Sequence, residues 1–220
     1  MDARIARVGA IGDIHCEDRR LESALAFLRE QSVDRVLAVG DIVDGEGDPD
    51  RCCALLREHE ALVVRGNHER WFLAGEMRDV AGWTTSVADE TRAYLETLPA
   101  TMELETVAGR LMLCHGVGDD DMATLTPDAR GYAIQCAIDG IRHRDDVSIV
   151  VGGHTHRRMV RAIGQFLFLN PGTLLRGHEP GFMIADLAER RAVHYDVAED
   201  GTITTSESVE VPLPARDGSF

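Results

Sequence analysis

A chain of 220 residues, 44% apolar and with a formal net charge of −15, has material for one sizeable core. Its acidity argues against nucleic-acid partners, because such a surface repels phosphate backbones at long range, although bound cations can reverse the field locally for a small phosphate substrate. Aromatics are only 5% and the five cysteines include no C-x-x-C pair, so a Leu/Val/Ile/Ala core and a reducing compartment are expected.

The opening segment, "MDARIARVGAIGDIHC", reads as a first strand rather than a leader, with "RIARVGAI" ending at Gly12-Asp13. In "RRLESALAFLREQ", Leu21, Ala24, Leu25 and Leu28 follow helical spacing. A second strand, "RVLAV", ends at Gly40-Asp41. "DPDRCCALLREHE" opens with Asp48 as N-cap and Pro49 at the first helical position. "ALVV" then leads through Arg65 to Gly66-Asn67-His68. This β-α-β-α-β order predicts a parallel sheet covered by helices.

Further along, "ADETRAYLETL" reads as a helix and "RLMLC" as a strand ending at His115-Gly116. "TPDARGYAIQCAIDGIRHR" reads as a helix capped by Thr126, with Pro127 at its first position. "VSIVV" is a strand ending at Gly152-Gly153-His154. After His156 come "RMVRAI", "FLFLN", "FMIADL", "AVHYDVA" and "TITTSESVEV", short segments that suggest a second, more antiparallel sheet. One domain over 1–212 with a frayed tail at 213–220 is expected. No stretch approaches the ~20 apolar residues of a membrane helix, so the expected location is cytoplasmic, with no membrane partner.

Ligands of open α/β sheets collect beyond the carboxyl ends of the strands. Five such ends carry metal-capable side chains: Asp13 and His15, Asp41, Asn67 and His68, His115, then His154 and His156. The joint pattern points to a polynuclear metal site. Mixed imidazole and carboxylate ligation suits Mn²⁺, Fe or Zn²⁺, with two ions clamping an in-line displacement at phosphorus around a bridging carboxylate and hydroxide.

"GDIH", "GDIVDG", "RGNHE", "CHG" and "GGHTH", in that order from Gly12 to His156, resemble the five signatures of calcineurin-like metallophosphoesterases. "NPGTL", Asn170 to Leu174, is similar to a segment of the family's small bacterial phosphodiesterase branch. The resemblance implies an α/β fold, a two-sheet β-sandwich flanked by helices in four αββα layers. It implies two divalent ions, Mn²⁺ first and Fe or Zn²⁺ as alternatives. One would be held by Asp13, His15 and His156, the other by Asn67, His115 and His154, and Asp41 would bridge both. His68 would be the general acid and Asp44 its orienting partner, leaving Arg65 as a candidate phosphate contact. The substrate would be a small phosphorylated molecule, a nucleotide-type one included.

Two departures stand out. Cys16 follows the first histidine where many relatives have glycine, and is read as a bystander. Gly45 stands where the family's protein phosphatases carry a phosphate-gripping arginine, which argues against protein substrates. A non-catalytic scaffold on the same fold, as in the retromer subunit, and a DNA nuclease are the alternatives. Arg157, Arg158 and Arg176 are expected to be solvated charges, Cys52 and Cys53 to pack as small hydrophobes, and "GDDD", Gly118 to Asp121, to be a solvated loop.

Overall fold

The structure, a computed structural model, describes residues 4–76 and 82–212; the tail expected to fray lies outside them. The N-terminal third forms β1 (Arg7–Ile11), α1 (Asp18–Glu30), β2 (Arg35–Ala38), α2 (Pro49–Glu58) and β3 (Leu62–Val63). β1 and β2 pair in parallel, as do β2 and β3. α1 buries Leu21, Ala24, Leu25 and Leu28, each Leu worth roughly 1.5–3 kcal/mol when removed from water. α2 starts as its sequence dictates: the Asp48 side chain accepts from the Arg51 N–H at 3.0 Å, ahead of Pro49.

α3 (Asn67–Ala74) and α4 (Asp89–Thr97) follow, then the hairpin β4 (Thr101–Thr106) and β5 (Gly109–Cys114). The rest is α5 (Tyr132–Ile138), β6 (Val147–Val151), β7 (Met159–Ile163), β8 (Phe166–Asn170), β9 (Gly181–Asp186), β10 (Arg191–Val197) and β11 (Ile203–Glu210). Two mixed sheets result, β11-β10-β9-β1-β2-β3 and β4-β5-β6-β8-β7.

Strand periodicity builds the layers. Val8 and Ala10 of β1 join Leu37, Leu111, Leu113, Ile149, Val151 and Leu169 in the core between the sheets. Ile11, Phe182 and Ile184 face the other way, into the helices α1 and α2. On the far side of the second sheet, Met112, Val150, Phe166 and Phe168 pack against Ala137 and Ile138 of α5. This is a helix–sheet–sheet–helix stack. The carboxyl ends of β1, β2 and β3 in one sheet, and of β5 and β6 in the other, carry the loops that form the site.

Three expectations are corrected. The segments after His156 do not form a sheet of their own: β7 and β8 complete the second sheet, while β9, β10 and β11 extend the first, with β9 antiparallel to β1. Both sheets have edges with backbone groups to pair, and a hairpin can extend either. The helix expected over 126–144 shrinks to Tyr132–Ile138. Gly131 at φ 53 breaks the chain before it, and Pro127 lies in a turn closed by Ala129 N–H to the Thr126 carbonyl at 3.1 Å. Arg158 is not solvated: it pairs with Asp196 at 2.7 Å and its side chain is 13% exposed.

Candidate metal centre

The backbone first brings the loops to one edge. His15 N–H donates to the Asp41 carbonyl at 2.7 Å and Cys16 N–H to the Ile42 carbonyl at 2.8 Å, locking the loop after β1 to that after β2. Gly153 N–H donates to the His115 carbonyl at 2.6 Å, joining the loops after β5 and β6. Asp13 Oδ1 accepts from His154 N–H at 2.9 Å, linking the two sheets. His15, Asp41, Asp44, His154 and His156 all have positive φ, between 46° and 64°. Such backbone in a non-glycine residue costs on the order of 1–3 kcal/mol and concentrates at functional sites.

Side chains converge accordingly. One ligand atom each from Asp13, His15, Asp41 and His156 lies within 4.8 Å of the others. His15 Nε2 is 3.1 Å from His156 Nε2. Asn67 Oδ1 lies 2.8 Å from His115 Nε2 and 3.1 Å from His154 Nδ1, a second subset. Asp41 Oδ2 sits between them, 3.2 Å from His115 Nε2 and 3.9 Å from His15 Nε2. All seven candidate metal ligands are thus brought together.

Chemistry favours a cation here. His15 Nδ1 bonds the Asp44 carbonyl at 2.9 Å and His115 Nδ1 the Val39 carbonyl at 2.7 Å. A carbonyl only accepts, so each Nδ1 carries the proton and the Nε2 atoms face the centre, as ligation requires. Asp13 Oδ2 is buried and, among the described residues, has no hydrogen-bond partner, an orphan oxygen that a metal ion would satisfy. Burial pushes Asp13 up to about 7, with the neighbouring Asp41 adding to the rise. Burial also pushes Asp41 up, but the charges of His115, His68 and His15 and the His115 hydrogen bond together hold that carboxyl below its ordinary range. His115 rises to about 10 against its own burial because Asp41 and Asp13 face it. Burial and the neighbouring His15 bring His156 down to about 3, leaving a neutral imidazole with a lone pair. Two close, buried carboxylates among imidazole nitrogens that face one centre fit divalent cations of the Mn²⁺, Fe or Zn²⁺ kind.

His68 stands beside this cluster. Its Nδ1 is 2.7 Å from Asp44 Oδ2 and its Nε2 is 3.8 Å from Asp41 Oδ2. Burial works against its charge, but the Asp44 bond and the charges of Asp41, Asp44 and Glu69 together raise its pKa. Asp44 is in turn gripped by Thr84, whose N–H donates to Oδ1 at 2.7 Å and whose Oγ1 accepts from Asp44 N–H at 2.9 Å. Arg65 is half-buried; its N–H donates to the Pro99 carbonyl at 2.8 Å, and no ion pair holds its guanidinium among the described residues. Cys16 is fully buried, 3.8 Å from Thr84 Oγ1, and burial pushes its thiol up to about 12; it packs as a neutral group. Gly45 has no room for any side chain, since a Cβ there would sit 1.9 Å from the His15 carbonyl. Gly66 is similarly confined, 2.2 Å from Asp41 Oδ1.

Three further residues, to which the sequence reading gave no role, support the centre. Glu69 is buried and accepts from four backbone N–H groups, Asp41 at 2.9 Å, Ile42 at 2.6 Å, Val43 at 3.1 Å and Gly66 at 2.8 Å. It both caps α3 and shapes the Asp41 loop; an acid three residues past a helix start was the available signal. Asn170 Nδ2 donates to the Gly153 carbonyl at 3.0 Å, and Thr173 Oγ1 to the Asp13 carbonyl at 2.7 Å. The "NPGTL" stretch therefore ties the first and last ligand loops together. The acidic run after His115 is also not merely solvated, because Asp121 takes Arg70 in a two-bond pair at 2.6 and 3.0 Å. Arg176 likewise is engaged, by buried Glu17 at 2.7 Å.

A family model described as calcineurin-like phosphoesterase superfamily domain matches residues 7–190. An uncharacterized protein of Methanocaldococcus jannaschii is 24% identical over 186 residues, 80% of this chain and 73% of that protein. A metallophosphoesterase from Sphaerobacter thermophilus shares the fold at TM-score 0.63 and 21% identity, covering 88% of this chain and 89% of that one. Vacuolar Protein Sorting 29 from Cryptosporidium parvum does so at TM-score 0.57 and 19% identity, covering 94% and 99%. Among the described residues, no helix is long and apolar enough to cross a membrane.

Proposed function

The chain belongs to the calcineurin-like phosphoesterase superfamily, and from that membership we propose that it is a dinuclear metal-dependent phosphoesterase of small phosphodiesters or phosphomonoesters, of the small bacterial phosphodiesterase type. The observation that carries this reading is the orphan oxygen of Asp13 inside a buried ring of Asp41, His15 and His156. Asp13, His15 and His156 would hold one ion, Asn67, His115 and His154 the other, with Asp41 between them. Divalent ions there supply Lewis-acid activation of water and neutralise charge on the phosphoryl oxygens.

The remaining work falls to protein groups. The carbonyls of Asp44 and Val39 orient the ligating imidazoles. Asp44 favours the protonated form of His68, whose Nε2 is turned toward the centre, so His68 is the group that would deliver a proton to the leaving oxygen. Arg65 is proposed as a phosphate contact. A second reading, an interaction scaffold on the same fold, has the likeness to Vacuolar Protein Sorting 29 behind it. Every ligand position and the acid histidine being filled favours catalysis. The deciding experiment assays Mn²⁺-loaded protein on a generic aryl phosphodiester and monoester before and after chelation. Chelator-sensitive turnover is expected; turnover of neither ester would leave the scaffold reading in possession.

A further inference from the structure

This chain is poor in aromatics and holds only two tryptophans, and both sit on the His68 side of the centre. Trp71 lies three residues along α3 from His68, on the same helix face. Its ring centroid is 5.1 Å from the imidazole, the planes inclined at 61°. Trp71 is half-buried. Trp83, 37% exposed, immediately precedes Thr84, the residue that grips Asp44. Among the described residues the cores between and around the sheets are filled without any tryptophan, and the Trp71 indole stands instead beside the acid histidine of a polar centre.

The chemistry of the wall narrows what it can take. The Arg70 guanidinium lies 5.7 Å from the Trp71 ring centroid, yet its charge is countered by the two-bond pair to Asp121. Beside the Trp71 ring the described cation, Arg70, is thus already paired, and the chain's net charge of −15 opposes additional anions. A leaving group rich in phosphate or carboxylate finds nothing here; a neutral flat one finds a stacking surface.

We propose that Trp71 is the platform on which the leaving group stacks, and that the substrate is a phosphoester of a nucleoside or a comparably flat aromatic alcohol. The inference rests on the reading of His68 as the proton donor: the group attached to the leaving oxygen must pass beside His68, and Trp71 is what it meets there. Base–aromatic stacking is worth about fivefold to a hundredfold in affinity per base.

The test compares adenosine 5′-monophosphate with ribose 5-phosphate, which release the same primary oxygen and differ only in the base. With Mn²⁺-loaded protein, the ratio of their kcat/KM values should fall about fivefold to a hundredfold in Trp71→Leu and recover substantially in Trp71→Phe. A Trp71 that merely props His68 would slow both substrates alike, and an unchanged ratio would overturn the platform while leaving the phosphoesterase reading intact. If neither substrate is turned over, the phosphoesterase reading suffers and the platform is judged by binding. In Trp83→Phe, where Trp71 is the sole indole emitter, adenosine should quench fluorescence saturably and ribose should not. Equal response to both, or none, overturns the proposal.

Discussion

The inner and outer halves of the centre are built differently. Asp13, Asp41 and His115 are almost wholly buried, tied by backbone bonds from Val39 and His154, and strongly perturbed in charge. His68, His154 and His156 keep part of their rings exposed, and at their edges stand half-buried Trp71 and exposed His178, the latter 4.9 Å from His156. The inner half concentrates two buried carboxylates and the histidine they act on in one place. The outer half offers a proton donor and apolar surface to something arriving from solvent. One region is organised for metal, the other for substrate, and variants should separate them.

The largest effect belongs to the inner half. Asp41→Asn removes the carboxylate that touches both subsets of ligands, and turnover should drop by about 10³-fold or more, the rate equivalent of several kcal/mol of lost charge stabilisation. His68→Ala, on the outer half, should slow turnover by about 10²–10⁴-fold with metal content intact, and by less on esters with good leaving groups. Loss of metal in His68→Ala would erase the division between the halves.

A finer probe is the pH profile of Asp44→Asn. Asp44 raises the pKa of His68, so the protonated acid persists to higher pH, and activity that needs it is present below that pKa and lost as pH rises through it. Removing the carboxylate lowers the pKa, so the alkaline limb should move to lower pH. A limb that stays in place would assign it to another group. The smallest effect should come from the brace. Asn170→Ala removes the side-chain donor to the Gly153 carbonyl and the acceptor of the Gly172 N–H and should cost about 1–3 kcal/mol of stability, read as a lowered Tm, with the metal-binding stoichiometry unchanged.

Much of this was legible in the sequence because strand ends announce themselves. Val-, Ile- and Leu-rich runs closing on glycine turns placed eight candidate residues, the resemblance added Asp44 and Arg65, and the β-α-β-α-β order placed the edge they share. Other features were hidden for physical reasons. β4, "TMELET", is a half-exposed strand whose polar alternation reads as loop beside the apolar "RLMLC" it pairs with. Thr84 reaches Asp44 across 40 residues and nothing local marks it. The division of the last five strands between two sheets is a tertiary choice, since each hairpin alone would fit either. The left-handed backbone at His15, Asp41, Asp44, His154 and His156 is uncommon even for Asp and His, the non-glycine types that tolerate it best, so the residue types alone do not announce it.

The most direct test is to count the ions bound per chain, by elemental analysis after stripping with chelator and reloading with Mn²⁺, for the native protein and for Asp41→Asn. Two ions per chain are expected in the native protein, and loss at both positions together in the variant. A native protein that takes up no metal, or an Asp41→Asn variant that still holds two, would contradict the shared centre on which the account stands.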